Sequence, residues 1–133
     1  MAKVLVVEDN PANMTLSTFL LESVGHSVLK ATDAENGLAL ARAEQPDLIL
    51  MDIQLPGMDG LRATAQLKGD GATRDIPVIA LTALAMKGDE ERIRAAGCDG
   101  YIAKPLSYKD FLATISAQLA TNSVKANPAT AAT

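Results

Sequence analysis

Four apolar residues, Val4 to Val7, run straight into Glu8 and Asp9. Adjacent carboxylates repel each other, and burying either one unpaired is expensive. A turn there could use Gly, Asn or Ser at no such cost. A second apolar run ends in Asp52, a third in Thr82 and the small Ala83, and a short fourth in Lys104-Pro105. Singly, these read as turn, cap or solvated residues. Together they offer three carboxylates, a hydroxyl and an ammonium. Three carboxylates in a small space favour a hard divalent cation such as Mg²⁺, which keeps several waters while binding one or two of them. A cation site beside a lysine and a threonine suits phosphoryl transfer. That reaction needs charge neutralised on three equatorial oxygens and a nucleophile held in line. Zinc has no ligand set here, since His26 stands alone and reads as exposed.

Those residues can cooperate only if the elements carrying them converge. VLVV (Val4 to Val7), DLILM (Asp47 to Met51) and IPVIAL (Ile76 to Leu81) are near-continuous apolar runs, as in strands covered on both faces. SVLKA (Ser27 to Ala31) and GYIA (Gly100 to Ala103) are weaker and suit sheet edges. Helical segments alternate with them. Asn10-Pro11 supplies a cap and a first-turn proline for a helix with Met14, Leu16, Phe19, Leu20 and Val24 on its apolar face, closed by Gly25. Asp33 caps a second helix burying Ala34, Leu38 and Ala41. A third runs from about Asp59 to Lys68, and a fourth from about Met86 to Ala96. The fifth starts at the S-x-x-D pattern of Ser107 and Asp110, with Leu106 and Phe111 as a hydrophobic staple and Phe111, Leu112, Ile115 and Leu119 on one face.

This alternation predicts an α/β fold, a doubly wound five-stranded parallel sheet with helices on both faces. With strand order 2-1-3-4-5, the ends carrying Glu8-Asp9, Asp52, Thr82 and Lys104 are neighbours at the edge where such sheets bind ligands. Asp52 is then the best nucleophile, because its strand is central and the other groups surround it; a carboxylate is an established covalent phosphoryl acceptor.

The chain has 133 residues, 48% of them hydrophobic and 21% charged, so one domain over residues 2–120 is expected. Residues 121–133, TNSVKANPATAAT with its preceding boundary at Ala120, read as a disordered tail. The net charge of −4 argues against a grip on nucleic acid. No stretch reaches transmembrane length, and a lone Cys98 fits a reducing, cytoplasmic compartment. VVEDNPAN lacks G-x-G-x-x-G, and no G-x-x-x-x-G-K-[ST] is present, which excludes the usual dinucleotide and nucleotide loops. A phosphatase of the haloacid-dehalogenase type would need an acid two positions after Asp9, where Pro11 stands.

VVEDN, LILMDIQLPGMDGL, IPVIALTA and GYIAKPLS stand in the order and spacing of a response-regulator receiver domain. From Ala2 to Ala120 the chain resembles that CheY-like family. MDIQLP and ALTALAMKGDEERIRAAGCDGYIAKPLS are similar to stand-alone regulators of the DivK type, although receivers of hybrid histidine kinases share much of this wording. The resemblance implies a two-component phosphorelay protein, not a conventional enzyme, which catalyses its own phosphorylation and slow dephosphorylation. Asp52 would accept a phosphoryl group from a histidine kinase or histidine phosphotransfer protein. Asp9 and Asp52 would ligate Mg²⁺ directly, Glu8 through a water, and the Gln54 backbone carbonyl would complete the protein ligands; Mn²⁺ could substitute. Lys104 and Thr82 would hold phosphoryl oxygens, with room left by Ala83. Thr82 and Tyr101 would form a switch, and the Lys104-Pro105 peptide would be cis. Output would pass to a protein partner through the fourth helix, fifth strand and fifth helix, the protein being a monomer or weak phosphorylation-dependent homodimer. The alternatives are a receiver excised from a hybrid kinase and a constitutive, phosphate-independent binding module.

Overall fold

The structure is a computed structural model that describes residues 2–83, 87–104 and 106–126. Along the chain lie β1 (Lys3–Val7), α1 (Pro11–Ser23), β2 (Ser27–Ala31), α2 (Ala34–Glu44), β3 (Leu48–Asp52), α3 (Gly60–Gly69), β4 (Val78–Thr82), α4 (Lys87–Ala95), β5 (Gly100–Ala103) and α5 (Tyr108–Ala126). The strands are all parallel, in the order β2-β1-β3-β4-β5. The expected doubly wound α/β topology is present, with SVLKA and GYIA at the edges.

Alternate strand residues feed two cores, as the two-residue period of a pleated sheet requires. Leu5, Val7, Ile49, Met51, Val78 and Ala80 face one side, where Ala34, Leu38 and Ala41 of α2, Ala63 and Leu67 of α3 and Ile93 of α4 cover them. Val4, Val6, Leu48, Leu50, Ile79 and Leu81 face the other, under Leu20 and Leu21 of α1 and Phe111 and Ile115 of α5. Each fully buried side chain of this size contributes about 1.5–3 kcal/mol, so the three central strands anchor the domain. Leu106 and Leu112 pack against the same cluster as Phe111, in keeping with the expected entry into α5.

Helix starts follow the sequence closely. The side chains of Asn10, Asp33 and Asp59 accept from Asn13, Asn36 and Arg62 N–H at 3.1, 2.8 and 2.8 Å. The face of α1 follows it only in part. Ser17, Thr18, Leu20 and Leu21 are the buried residues, while Leu16, Phe19 and Val24 are exposed. Of the expected face, Leu20 is buried and Met14 packs against the core, but Ser17 and Thr18 fill the rest of the inward stripe and leave Leu16, Phe19 and Val24 outside it. The result is an apolar dish on the surface, lined by Pro11, Ala12, Thr15, Leu16 and Phe19.

Two further differences concern single elements. His26 is half-buried rather than exposed, because its Nδ1 accepts the Ala2 N–H at 3.1 Å. Helix α5 continues to Ala126, past the boundary expected at Ala120, with Thr121 Oγ1 donating to the Ala117 carbonyl at 3.0 Å. Pro105, and with it the expected cis peptide, lies outside the described residues, as do Met86 and residues 127–133.

Candidate metal and phosphoryl site

The carboxyl ends of β1, β3, β4 and β5 bring the predicted residues together. Register sets this up: Val7 is level with Met51, Asp52 with Leu81, and Thr82 with Ala103. Glu8 follows Val7 and stays tied to the sheet through its N–H to the Ala31 carbonyl at 2.9 Å. Lys104 follows Ala103 and donates its backbone N–H to the Thr82 carbonyl at 2.8 Å. Neighbouring strands therefore deliver Glu8, Asp52, Thr82 and Lys104 side by side.

Glu8, Asp52 and Thr82 are buried, Asp9 is exposed, and carboxylate oxygens of Glu8, Asp9 and Asp52 lie within 4.8 Å of one another. Lys104 Nζ is 3.0 Å from Asp52 Oδ2 and 3.0 Å from Glu8 Oε1. The first contact is an aligned hydrogen bond; the second is an ion pair whose angle leaves Glu8 Oε1 without one. Glu8 Oε2 accepts the Asn10 N–H at 3.2 Å, and Asp52 Oδ1 accepts the Gln54 N–H at 2.9 Å. Gln54 and Ala83 are exposed at the rim. Tyr101 is half-buried on β5, packed against the core over the α2–α4 face.

Burial raises the Glu8 carboxyl most, the neighbouring Asp52 adds to it, and Lys104 and the Asn10 N–H only partly counter it, so Glu8 titrates at about 7. Burial pulls Lys104 down, but its contacts with Asp52 and Glu8 outweigh that, and the ammonium is held above its ordinary range. One ammonium cannot offset three carboxylates. An acid pushed to about 7 and a buried oxygen with no aligned donor both fit a hard cation with oxygen ligands.

Sequence reading missed two contributors. The Asn10 backbone N–H, unforeseeable from residue type, orients Glu8. Gly60 lies directly against the Asp52–Ile53 backbone, and its only signal in the sequence is a glycine in the first turn of a helix.

A parallel sheet in this order, with an acidic cluster and a lysine at its carboxyl edge, defines a class that comparison with known proteins identifies. A family model described as the response regulator receiver domain matches residues 4–116, and the chain belongs to that family, the CheY-like receivers of two-component systems. It is 53% identical over 116 residues to the polar-differentiation response regulator DivK of Brucella anthropi, spanning 87% of this chain and 94% of the relative. The DivK of Brucella ovis gives the same identity and coverage. Among solved structures, the receiver domain of the sensor histidine kinase PA1611 from Pseudomonas aeruginosa, which has a magnesium ion coordinated in its active site cleft, superposes with a TM-score of 0.83. It is 35% identical, over 90% of this chain and 98% of that one. Vibrio cholerae chemotaxis protein CheY4 gives a TM-score of 0.83 at 27% identity, over 87% and 97%. Among the described residues, no helix is long and apolar enough to cross a membrane.

Proposed function

We propose that this chain is a phosphorelay switch of the cytoplasm whose acceptor is Asp52. The observation that carries the reading is the placement of Asp52 on the central strand. Its Oδ2 is on the Lys104 ammonium at 3.0 Å, its Oδ1 is on the Gln54 N–H, and Glu8 and Asp9 stand beside it. A carboxylate oxygen of Asp52 attacks the phosphorus of a phosphohistidine on a histidine kinase or phosphotransfer protein. The P–N bond breaks, the O–P bond forms, and the imidazole leaves. Asp9, Asp52 and the Gln54 carbonyl would hold Mg²⁺, with Glu8 acting through a water; Mn²⁺ would satisfy the same oxygen set. Held by these residues, the cation would supply neutralising charge for the transferring oxygens. Lys104 pairs with phosphoryl oxygens from the β5 side and Thr82 from β4, while the exposed Ala83 leaves space for the group. Later attack by water returns free Asp52.

The donor needs a surface near the acceptor. Helix α1 starts at Pro11, two residues after Asp9, and its exposed Leu16 and Phe19 offer an apolar seat there. Output leaves by another route. A groove of about 380 Å³ between α4, β5 and α5 is lined by Arg94, Asp99, Tyr101, Thr114, Gln118 and Thr121. Phosphate that draws Thr82 inward and lets half-buried Tyr101 turn would reshape this groove for a downstream partner or a second copy.

The test is intact-protein mass spectrometry after incubation with acetyl phosphate and Mg²⁺. One phosphoryl group is expected on the wild type, none on Asp52→Asn and none without Mg²⁺. No adduct on the wild type, with beryllofluoride also failing to bind, would overturn the reading.

A further inference from the structure

The first residue of α3 rests on the acceptor itself. Gly60 is buried and donates its N–H to the Ile53 carbonyl at 3.2 Å, closing the β3–α3 loop. A methyl group at Gly60 would overlap the Asp52 carbonyl oxygen and lie 2.7 Å from Ile53 Cα and 2.8 Å from Asp52 C. Carbon atoms in comfortable contact sit at about 3.5–4.0 Å, and these obstacles are main chain, which cannot swing aside as a side-chain end can. Gly69, at the far end of the same helix, faces open space.

A helical glycine costs about 1 kcal/mol relative to alanine, so its place needs a reason. Backbone conformation is not the reason, because the positive-φ glycines are Gly25, Gly57 and Gly97. Close approach is. Thr64, fully buried one turn later, donates its hydroxyl to the Gly60 carbonyl at 2.8 Å and pins the helix start where it is. The peptide that Gly60 leans on carries the Asp52 carboxylate, and two residues on it carries the Gln54 N–H that bonds Asp52 Oδ1 and the Gln54 carbonyl.

We infer that Gly60, secured by Thr64, is a positioning residue for the cation and phosphoryl site. Its missing side chain lets α3 seat directly on the Asp52–Ile53 peptide, which sets the direction of the Asp52 carboxylate and the Gln54 carbonyl. The inference rests on the Mg²⁺-dependent reading above.

Four variants of the full chain test it: Gly60→Ala, Gly69→Ala, Thr64→Val and Thr64→Ser. Each is assayed for Mg²⁺ affinity by calorimetry and, in EDTA, for the Gln54 amide shift and hydrogen exchange by NMR. Gly60→Ala is expected to lose about 10- to 100-fold in Mg²⁺ affinity, the range for groups that orient a ligand, and to shift and deprotect the Gln54 amide. Gly69→Ala should match the wild type. Thr64→Val should move both readouts in the same direction, and Thr64→Ser, which keeps the hydroxyl, should restore them. Wild-type affinity and an unchanged Gln54 amide in a folded Gly60→Ala overturn the inference. If that variant does not fold, Thr64→Val behaving as wild type overturns it. A wild type that binds no Mg²⁺ removes the parent reading, whereas a binding wild type with unaffected variants removes this inference alone.

Discussion

Lys104 Nζ stands 3.0 Å from Asp52 Oδ2, although 52 positions separate the two residues in the chain. The contact exists because β3 and β5 flank β4 in a parallel sheet, so both strands end at the same edge. It sets one ammonium against both Asp52 and Glu8, each at 3.0 Å. Replacing Lys104 by Met should slow phosphoryl acceptance from acetyl phosphate about 10²-fold, the usual loss for one donor aimed at developing charge. Mg²⁺ affinity should not fall, since a competing positive charge leaves the cluster. Timed mass spectrometry and calorimetry separate the two effects.

Glu8 makes the metal-free protein sensitive to pH in a definite direction. Its folded value of about 7 lies above the ordinary 4.5, so the folded state holds the extra proton between those values. Its stabilising contribution is complete below about pH 4.5 and is lost as pH rises through 7, worth roughly 3 kcal/mol at most. Urea unfolding in EDTA from pH 5 to 8 should show this decline, and Glu8→Gln should flatten it. Mg²⁺ affinity should move the other way, rising with pH up to about 7 because binding requires the deprotonated cluster.

Helix α1 has one buried and one exposed apolar face. Leu21 is fully buried and Phe19 is 67% exposed. Leu21→Ala should cost about 2–5 kcal/mol in urea unfolding, and Phe19→Ala within about 0.5 kcal/mol. If the α1 dish seats the donor, Phe19→Ala should slow transfer from a phosphorylated histidine kinase while leaving labelling by acetyl phosphate unchanged.

The site was legible in the sequence because its residues break local rules. Acids, a threonine and a lysine stood where buried strands end, and parallel topology left only one edge on which they could meet. The strand runs were legible because the central strands are covered on both faces. Helix α1 was legible in its cap, its first-turn proline and its inward Met14 and Leu20, but not in the rest of its buried face, where Ser17 and Thr18 carry no apolar signal. The extension of α5 to Ala126 escaped for a similar reason: small polar residues lack a period, yet nothing before Pro128 forbids a helix. Gly60 escaped because the reason for it is a main chain eight residues earlier, which only the folded loop brings near.

The most direct test of the central claim locates the phosphoryl group itself. The protein is labelled with acetyl phosphate and Mg²⁺, reduced with borohydride, digested and sequenced by tandem mass spectrometry. Reduction converts an aspartyl phosphate to homoserine, and homoserine at position 52 alone is the expected result. Homoserine at position 9 instead, or a stable phosphate elsewhere with Asp52 intact, would contradict it.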